Sequence, residues 1–149
     1  MYTKSYVTSI DDPSKVIDTV TFGPISVLPE WQRKGIGTAL IKESMQKAKA
    51  MGYKAVVIQG HPHNYCRHGF KNSKDFNISD ADKRFPYGLL ALELKNDVFK
   101  GNSWIYSESP VYSFDSDNAA EFDKLFAAKK KEYRYTQEEF SIACRAFLI

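Results

Sequence analysis

Apolar side chains return at the helical period from Ile36 to Met51, and shortly afterwards Ala55-Val56-Val57-Ile58 forms an unbroken apolar run. Ile36, Leu40, Ile41, Met45, Ala48 and Met51 share one helical face, with Lys42, Glu43, Gln46, Lys47 and Lys49 on the other. Gly52 is placed to cap the helix at its C-terminus. A short apolar run without polar alternation is the pattern of a strand covered on both faces. The segment before the helix, roughly Val16 to Leu28, also reads as a strand. Strand, helix, strand in that order requires a right-handed crossover joining two parallel or near-parallel strands, so the chain builds an α/β sheet.

The flanking segments extend this core. Tyr6 to Ile10 and Val16 to Leu28 are joined by the turn-forming Asp11-Asp12-Pro13-Ser14, which predicts a hairpin. Gly23-Pro24 interrupts the second strand, and proline cannot donate to a ladder, so a bulge or opened pairing is expected near Ile25. Pro62 to His68 is expected to make one or two helical turns ended by Gly69-Phe70. Periodicity leaves Gly88 to Phe99 open between helix and strand, and the order of elements selects strand. Ala119, Phe122, Leu125 and Phe126 form a helical stripe behind the capping candidates Asp115, Ser116 and Asp117. Thr136-Gln137-Glu138-Glu139 has the form of a capping box opening a last helix with Phe140, Ala143 and Phe147 on one face.

At 149 residues, 43% of them apolar, the chain is long enough for one core and too short for two full domains. It is expected to be one domain, with a core over residues 1–95 and a C-terminal extension over 96–149. Neither an apolar leader nor a membrane-spanning run is recognisable, and Cys66 and Cys144 are expected to be free thiols, which together point to a cytoplasmic protein. The formal charge of +3 is mild and both signs are interspersed, so neither nucleic acid nor a membrane is expected as a partner. The run Lys129-Lys130-Lys131 is expected to complement the end of a helix.

The chemistry concentrates in the turn that enters the first helix, Gln32-Arg33-Lys34-Gly35-Ile36-Gly37-Thr38. Backbone N–H groups in the first turn of a helix have no internal partner, and with the positive end of the dipole they form an anion site. Gly35 and Gly37 let the backbone curl and approach a ligand closely. Arg33 and Lys34 oppose the dipole unless something negative lies between them, and a phosphate would resolve that conflict. Gly-x-Gly alone is equally what an ordinary glycine-containing strand-to-helix turn has. A dinucleotide fingerprint would need a third glycine where Leu40 stands, and the Gly-Lys-Ser/Thr of a P-loop is absent.

With Val27 two residues before Pro29, the pattern Gln32-x-x-Gly35-x-Gly37 resembles the acetyl-CoA signature of the GNAT N-acetyltransferase superfamily, Gln/Arg-x-x-Gly-x-Gly/Ala. Gly60-His61-Pro62-His63-Asn64-Tyr65-Cys66-Arg67-His68-Gly69-Phe70 is similar to that family's second cofactor motif, which ends in Tyr-x-x-x-Gly-Phe. The likeness is to members whose Gly-Asp-Pro precedes the tyrosine, with His61 here in place of the aspartate. It runs from near Phe22 to Phe70 and weakens onward through Leu94. It implies a GNAT-like acyl-CoA N-acyltransferase fold, a mixed sheet with flanking helices, and acetyl-CoA as cosubstrate.

By that resemblance, free backbone groups of Ile25, Ser26 and Val27 would pair with the pantetheine arm, and Gln32, Arg33, Lys34, Gly35, Ile36, Gly37 and Thr38 would form the pyrophosphate site. An amine would attack the thioester directly, and Tyr65 matches the tyrosine that protonates the departing thiolate. A phenol's ordinary pKa of about 10 suits that proton transfer. A packing tyrosine under Gly69-Phe70 is the other reading of the same residue. No glutamate lies between Val20 and Leu28, so His61 and His63 are the candidate bases, with Asp18 behind them. His61, His63, Cys66 and His68 lie too close along the chain for an ordinary tetrahedral site, and no metal is expected.

Family members carry a strand, two helices and a second strand before the hairpin, a part that completes the sheet and forms one wall of the acceptor pocket. Only about twenty-five residues stand there in this chain, so the domain reads as shortened at its N-terminus. A bare sheet edge at Tyr6 to Ile10 would invite a second chain, and a homodimer is expected. Residues 96–149 are expected to pack over the exposed side through Trp104, Tyr106, Tyr112 and Phe114. The function that the resemblance implies is acetyl transfer to the primary amine of a small molecule or peptide, with a non-catalytic coenzyme-binding module as the alternative.

Overall fold

The computed structural model describes residues 1–113, 115–130 and 132–149. Two antiparallel strands open the chain, β1 (Tyr2–Ser9) and β2 (Val16–Phe22), in a register that sets Tyr2 opposite Phe22 and Thr8 opposite Val16. The helix α1 (Ile36–Ala50) crosses to β3 (Ala55–Gln59), which is parallel to β2. Gly52, at φ 90°, carries the reversal out of α1 that only glycine adopts without strain. A short helix α2 (Pro62–Tyr65) then precedes the two-residue strands β4 (Lys71–Asn72), β5 (Ile78–Ser79) and β6 (Phe85–Pro86). Strands β7 (Leu89–Glu93) and β8 (Trp104–Ser107), helices α3 (Ser116–Asp123) and α4 (Tyr135–Arg145), and β9 (Phe147–Leu148) complete the chain.

Seven strands form one mixed sheet in the order β4-β7-β3-β2-β1-β8-β5, and β6 pairs separately with β9. Every residue from Ala55 to Ile58 is fully buried, as the continuous apolar run predicts. Val57 belongs to one core cluster with Val7, Leu89, Phe99 and Trp104. Val56 and Ile58 belong to the other, where Val20, Phe22 and Phe70 meet Ala48 of α1. The sheet therefore has a core on each face, and α1 covers one of them. Asp18 lies on an exposed position of β2 opposite Tyr6, away from this interior.

The second strand is shorter than its sequence suggests, ending at Phe22 rather than Leu28. Gly23 and Pro24 end the ladder, and the pairing of β2 with β3 is reduced to Val20 opposite Val56, whereas β3 and β7 pair over five residues. The two parallel strands thus part after Val20, ahead of the Gly23-Pro24 break.

The sheet edge at β1 is not bare. Strand β8 pairs antiparallel with it, Tyr6 opposite Ser107 and Ser9 opposite Trp104, so the edge argument for a homodimer fails: the chain covers that edge itself. Trp104 and Tyr106 are buried as expected, Tyr112 reaches Thr3 Oγ1 with its hydroxyl at 3.3 Å, and Phe114 lies outside the described residues.

Two other expectations change in the C-terminal third. Asp115 caps α3, accepting from the amides of Asp117 at 2.7 Å and Asn118 at 3.1 Å, but that helix ends at Asp123 and leaves Phe122, Leu125 and Phe126 exposed. The capping box of α4 begins two residues before Thr136: the Arg134 amide donates to Gln137 Oε1 at 2.6 Å. Lys129 and Lys130 lie beyond α3 in irregular chain, so they end no helix, and Lys131 lies outside the described residues.

Candidate active site

The turn that begins α1 is built by its own side chains. Gln32 Nε2 donates to the Val27 carbonyl at 2.9 Å, tying the turn back to the segment that leaves the sheet. Arg33 at φ 58° and Gly35 at φ 81° both take left-handed backbone, which curls the chain tightly before the helix. For Arg33, a side-chain-bearing residue, that conformation carries a cost on the order of 1–3 kcal/mol. Lys34 Nζ rests 4.8 Å from the centroid of the Trp31 ring.

Gly35 is the N-cap of α1, where no side chain accepts from the first-turn amides and no acidic residue stands in that turn. Ala39 N makes the first helical bond, to Gly35 O at 2.9 Å. The amides of Ile36, Gly37 and Thr38 therefore point out of the helix end unpaired, beside two cations, an arrangement complementary to an anion. A Cβ on Gly37 would meet only Val27 Cγ2, at an ordinary 3.8 Å, so nothing inside the chain requires glycine there. Ile25 and Ser26 line a groove of about 360 Å³ between α1 and the start of the chain, together with Tyr2, Phe22, Leu40 and Ser44.

The second motif crosses the end of β3. Gly60 N donates to Gly88 O at 2.8 Å, and a Cβ on Gly88 would come within 3.2 Å of Gly60 O, so two glycine backbones touch here. Tyr65, at the end of α2, lays its ring against Gly60 and among Phe22 and Phe70, at centroid distances of 5.7 and 5.9 Å. Burial pushes the Tyr65 phenol above its ordinary value, which keeps the proton on it. The ring thus packs as a core-side tyrosine would, and its hydroxyl stays protonated.

His61 caps α2, its Nδ1 accepting from the His63 amide at 3.3 Å. A neutral imidazole accepting at Nδ1 carries its proton on Nε2, so this ring has no free lone pair in that geometry. Among the described residues the His63 ring makes no such bond, and its centroid lies 6.4 Å from that of His61. Both histidines line a cavity of about 810 Å³ with Gln59, Gly60 and Gly88. His68 points elsewhere: among the described residues its buried Nε2 has no partner, and burial followed by the charges of Arg67 and Lys42 holds its pKa below the ordinary value. Among the described residues no three of His, Cys, Asp or Glu are arranged to hold a metal ion.

The candidate residues thus fall into three places: the α1 entrance, the half-buried ring of Tyr65, and the cavity beyond β3. Sequence reading missed the far side of that cavity, where Phe140, Ala143 and Cys144 of α4 stand opposite Gly60 and Gly88. Only the shared apolar face of Phe140, Ala143 and Phe147 hinted at it. No helix among the described residues is long and apolar enough to cross a membrane.

Residues 6–72 match the model of the acetyltransferase (GNAT) domain. A 48-residue stretch is 40% identical to the uncharacterised N-acetyltransferase YjhQ of Escherichia coli strain K12, covering 32% of this chain and 26% of that protein. The chain therefore spans about a quarter of that curated relative's length. Among solved structures, the GNAT family N-acetyltransferase YhbS of Escherichia coli in complex with CoA superposes with a TM-score of 0.61 at 21% identity, over 74% of this chain and 60% of that one. A GNAT family acetyltransferase from Brucella melitensis in complex with acetyl-CoA gives 0.50 at 22% identity, over 75% and 59%. The chain has the GNAT acyltransferase fold, and within it residues 6–72 are what matches the acetyltransferase (GNAT) domain.

Proposed function

We propose that the chain is an acetyl-CoA-dependent N-acetyltransferase acting on a primary amine. The observation that carries this reading is the α1 entrance, where uncapped amides of Ile36, Gly37 and Thr38 meet the cations Arg33 and Lys34. A pyrophosphate fits that chemistry, and the two solved structures that share the fold contain CoA and acetyl-CoA.

In this reading Gln32 holds the turn, the amides of Arg33 to Thr38 receive the pyrophosphate, and the backbone of Ile25, Ser26 and Val27 receives the pantetheine arm where β2 has left β3. The amine nitrogen forms the new bond to the acetyl carbonyl carbon, and the carbon–sulfur bond breaks. Tyr65 gives its proton to the leaving thiolate, and His63 takes one from the amine. His61 orients the loop through its bond to the His63 amide.

A coenzyme-binding module without turnover is the second reading, and it draws on Tyr65 lining neither the α1 groove nor the larger cavity. Release of free CoA thiol in the presence of acetyl-CoA and a primary-amine panel separates the two. Transfer that slows at least tenfold in Tyr65→Phe, with acetyl-CoA affinity kept, supports the enzyme. Turnover unchanged by the substitution removes Tyr65 from the mechanism, and no turnover with any amine favours the module.

A further inference from the structure

The C-terminal helix α4 contains no buried residue, and Phe140 is 71% exposed, yet the helix is fixed at its end. Its last turn leads into β9, which pairs with β6 so that Phe85 faces Leu148 and Pro86 faces Phe147. Tyr87 N donates to Ala146 O at 2.8 Å, and the Arg84 guanidinium lies 4.5 Å from the centroid of the Phe147 ring. The anchoring strand is itself held, because Asn72 Nδ2 donates to the Pro86 carbonyl at 3.1 Å. Residues of this helix, Phe140, Ala143 and Cys144 among them, line the cavity of about 810 Å³.

The cavity has two unlike walls. One is backbone at the end of β3, where Gly60 and Gly88 touch; the other is Phe140, Ala143 and Phe147. Gly60 is shared, since the ring of Tyr65 packs against it without itself lining the cavity. The cavity thus reaches the backbone on which the candidate acid rests. Its volume lies in the range of about 300–1,000 Å³ usual for small-molecule sites. Glu108 and Glu139 also line it, and among the described residues neither is in an ion pair, which suits a cationic occupant.

We propose that α4 and β9 form the outer wall of the acceptor pocket, and that the acceptor is a small primary amine with an apolar body, seated between Phe140 and Ala143 and the Gly60–Gly88 backbone. The acceptor role rests on the transfer function proposed above; the pocket itself does not. A compact amine fills the space and covers the exposed Phe140 ring, and its amino group is brought toward Gly60 and His63.

Amide NMR on the full chain, titrated with 2-phenylethylamine, tests this without requiring turnover. The expected result is saturable shifts at Gly60, Gly88, Phe140 and Ala143 together. Ala143→Trp, which fills the space, and Phe140→Ala, which removes an exposed ring, should each weaken that binding at least tenfold. Acetyl-CoA shifts at Gly35 to Thr38 should survive both substitutions and report that the variants fold. No saturable shift on the two walls, or affinity unchanged in both variants, would overturn the pocket. A lysine-bearing nonapeptide that binds there as tightly as the small amine would overturn the acceptor class. Loss of the acetyl-CoA response alone counts against the transfer function; loss of the amine response alone counts against this pocket.

Discussion

A Cβ on Gly60 would lie 2.5 Å from Cε2 of Tyr65, closer than any real contact allows. The glycine at the end of β3 and the tyrosine five residues on are therefore one packing unit, and the ring cannot keep its position if position 60 gains a methyl group. Phe22 and Phe70 also pack against it, at ring-centroid distances of 5.7 and 5.9 Å. Gly60→Ala should destabilise the fold by about 1–3 kcal/mol, the usual cost of overpacking, measured by urea denaturation. It should also slow transfer without weakening acetyl-CoA binding, because the displaced group is the phenol and not the α1 entrance.

The two glycines of the α1 entrance should behave oppositely. Gly35, in left-handed backbone, should lose about 1–2 kcal/mol on conversion to alanine through backbone strain, although open space surrounds it. Gly37 has ordinary helical surroundings, so Gly37→Ala should leave stability unchanged or raise it by up to about 1 kcal/mol. If a pyrophosphate lies against this backbone, the same methyl group should lower acetyl-CoA affinity at least tenfold. Melting curves with and without acetyl-CoA measure both effects.

Buried hydroxyls join the sheet where β2 and β3 part. Thr21 Oγ1 donates to the Val57 carbonyl at 2.7 Å, so its single proton is used, and Tyr106 Oη donates to it at 2.6 Å. Burial pushes the Tyr106 phenol up to about 12 from an ordinary 10.0. Because the folded value is the higher one, folding favours the protonated phenol. This contribution is fully present below pH 10 and disappears as pH rises from 10 to about 12. The loss attributable to Tyr106 should be about 2–3 kcal/mol. Urea denaturation at several pH values should show Tyr106→Phe less stable than the parent near neutrality and closing on it above pH 10.

Strand β8 closes the sheet edge through Trp104, which is buried and donates from Nε1 to Phe99 O at 2.8 Å. Trp104→Ala should cost about 3–5 kcal/mol. With that edge opened, self-association should rise, measurable by analytical ultracentrifugation, while the parent chain should not associate through β1.

Local signals carried much of this architecture. The period of α1, the apolar run of β3 and the Gly23-Pro24 break each state a requirement that neighbouring residues meet, so the separation of β2 from β3 was legible near Ile25. The Gln32 to Thr38 turn was legible for the same reason, since its conformation depends on seven consecutive residues. What stayed hidden depends on distant partners. Nothing in Trp104-Ile105-Tyr106-Ser107 says that it pairs with Tyr6 to Ser9, nearly a hundred residues earlier, and so the edge was read as bare. The stripe of Phe122 and Phe126 has helical spacing, but spacing cannot say whether anything covers it. Thr136 offered a capping pattern as good on paper as that of Arg134, and the backbone chose the earlier start. The cavity wall on α4 was likewise out of reach, because it exists only once β9 has paired with β6.

The central claim is that acetyl-CoA binds at the α1 entrance, and calibrated melting with increasing acetyl-CoA tests it most directly. At a hundred times its dissociation constant the ligand should add about 2.7 kcal/mol of stability, and Arg33→Glu/Lys34→Glu should abolish most of that gain. A chain whose melting is unmoved by millimolar acetyl-CoA, or whose response is unchanged by reversing those two charges, would contradict the account.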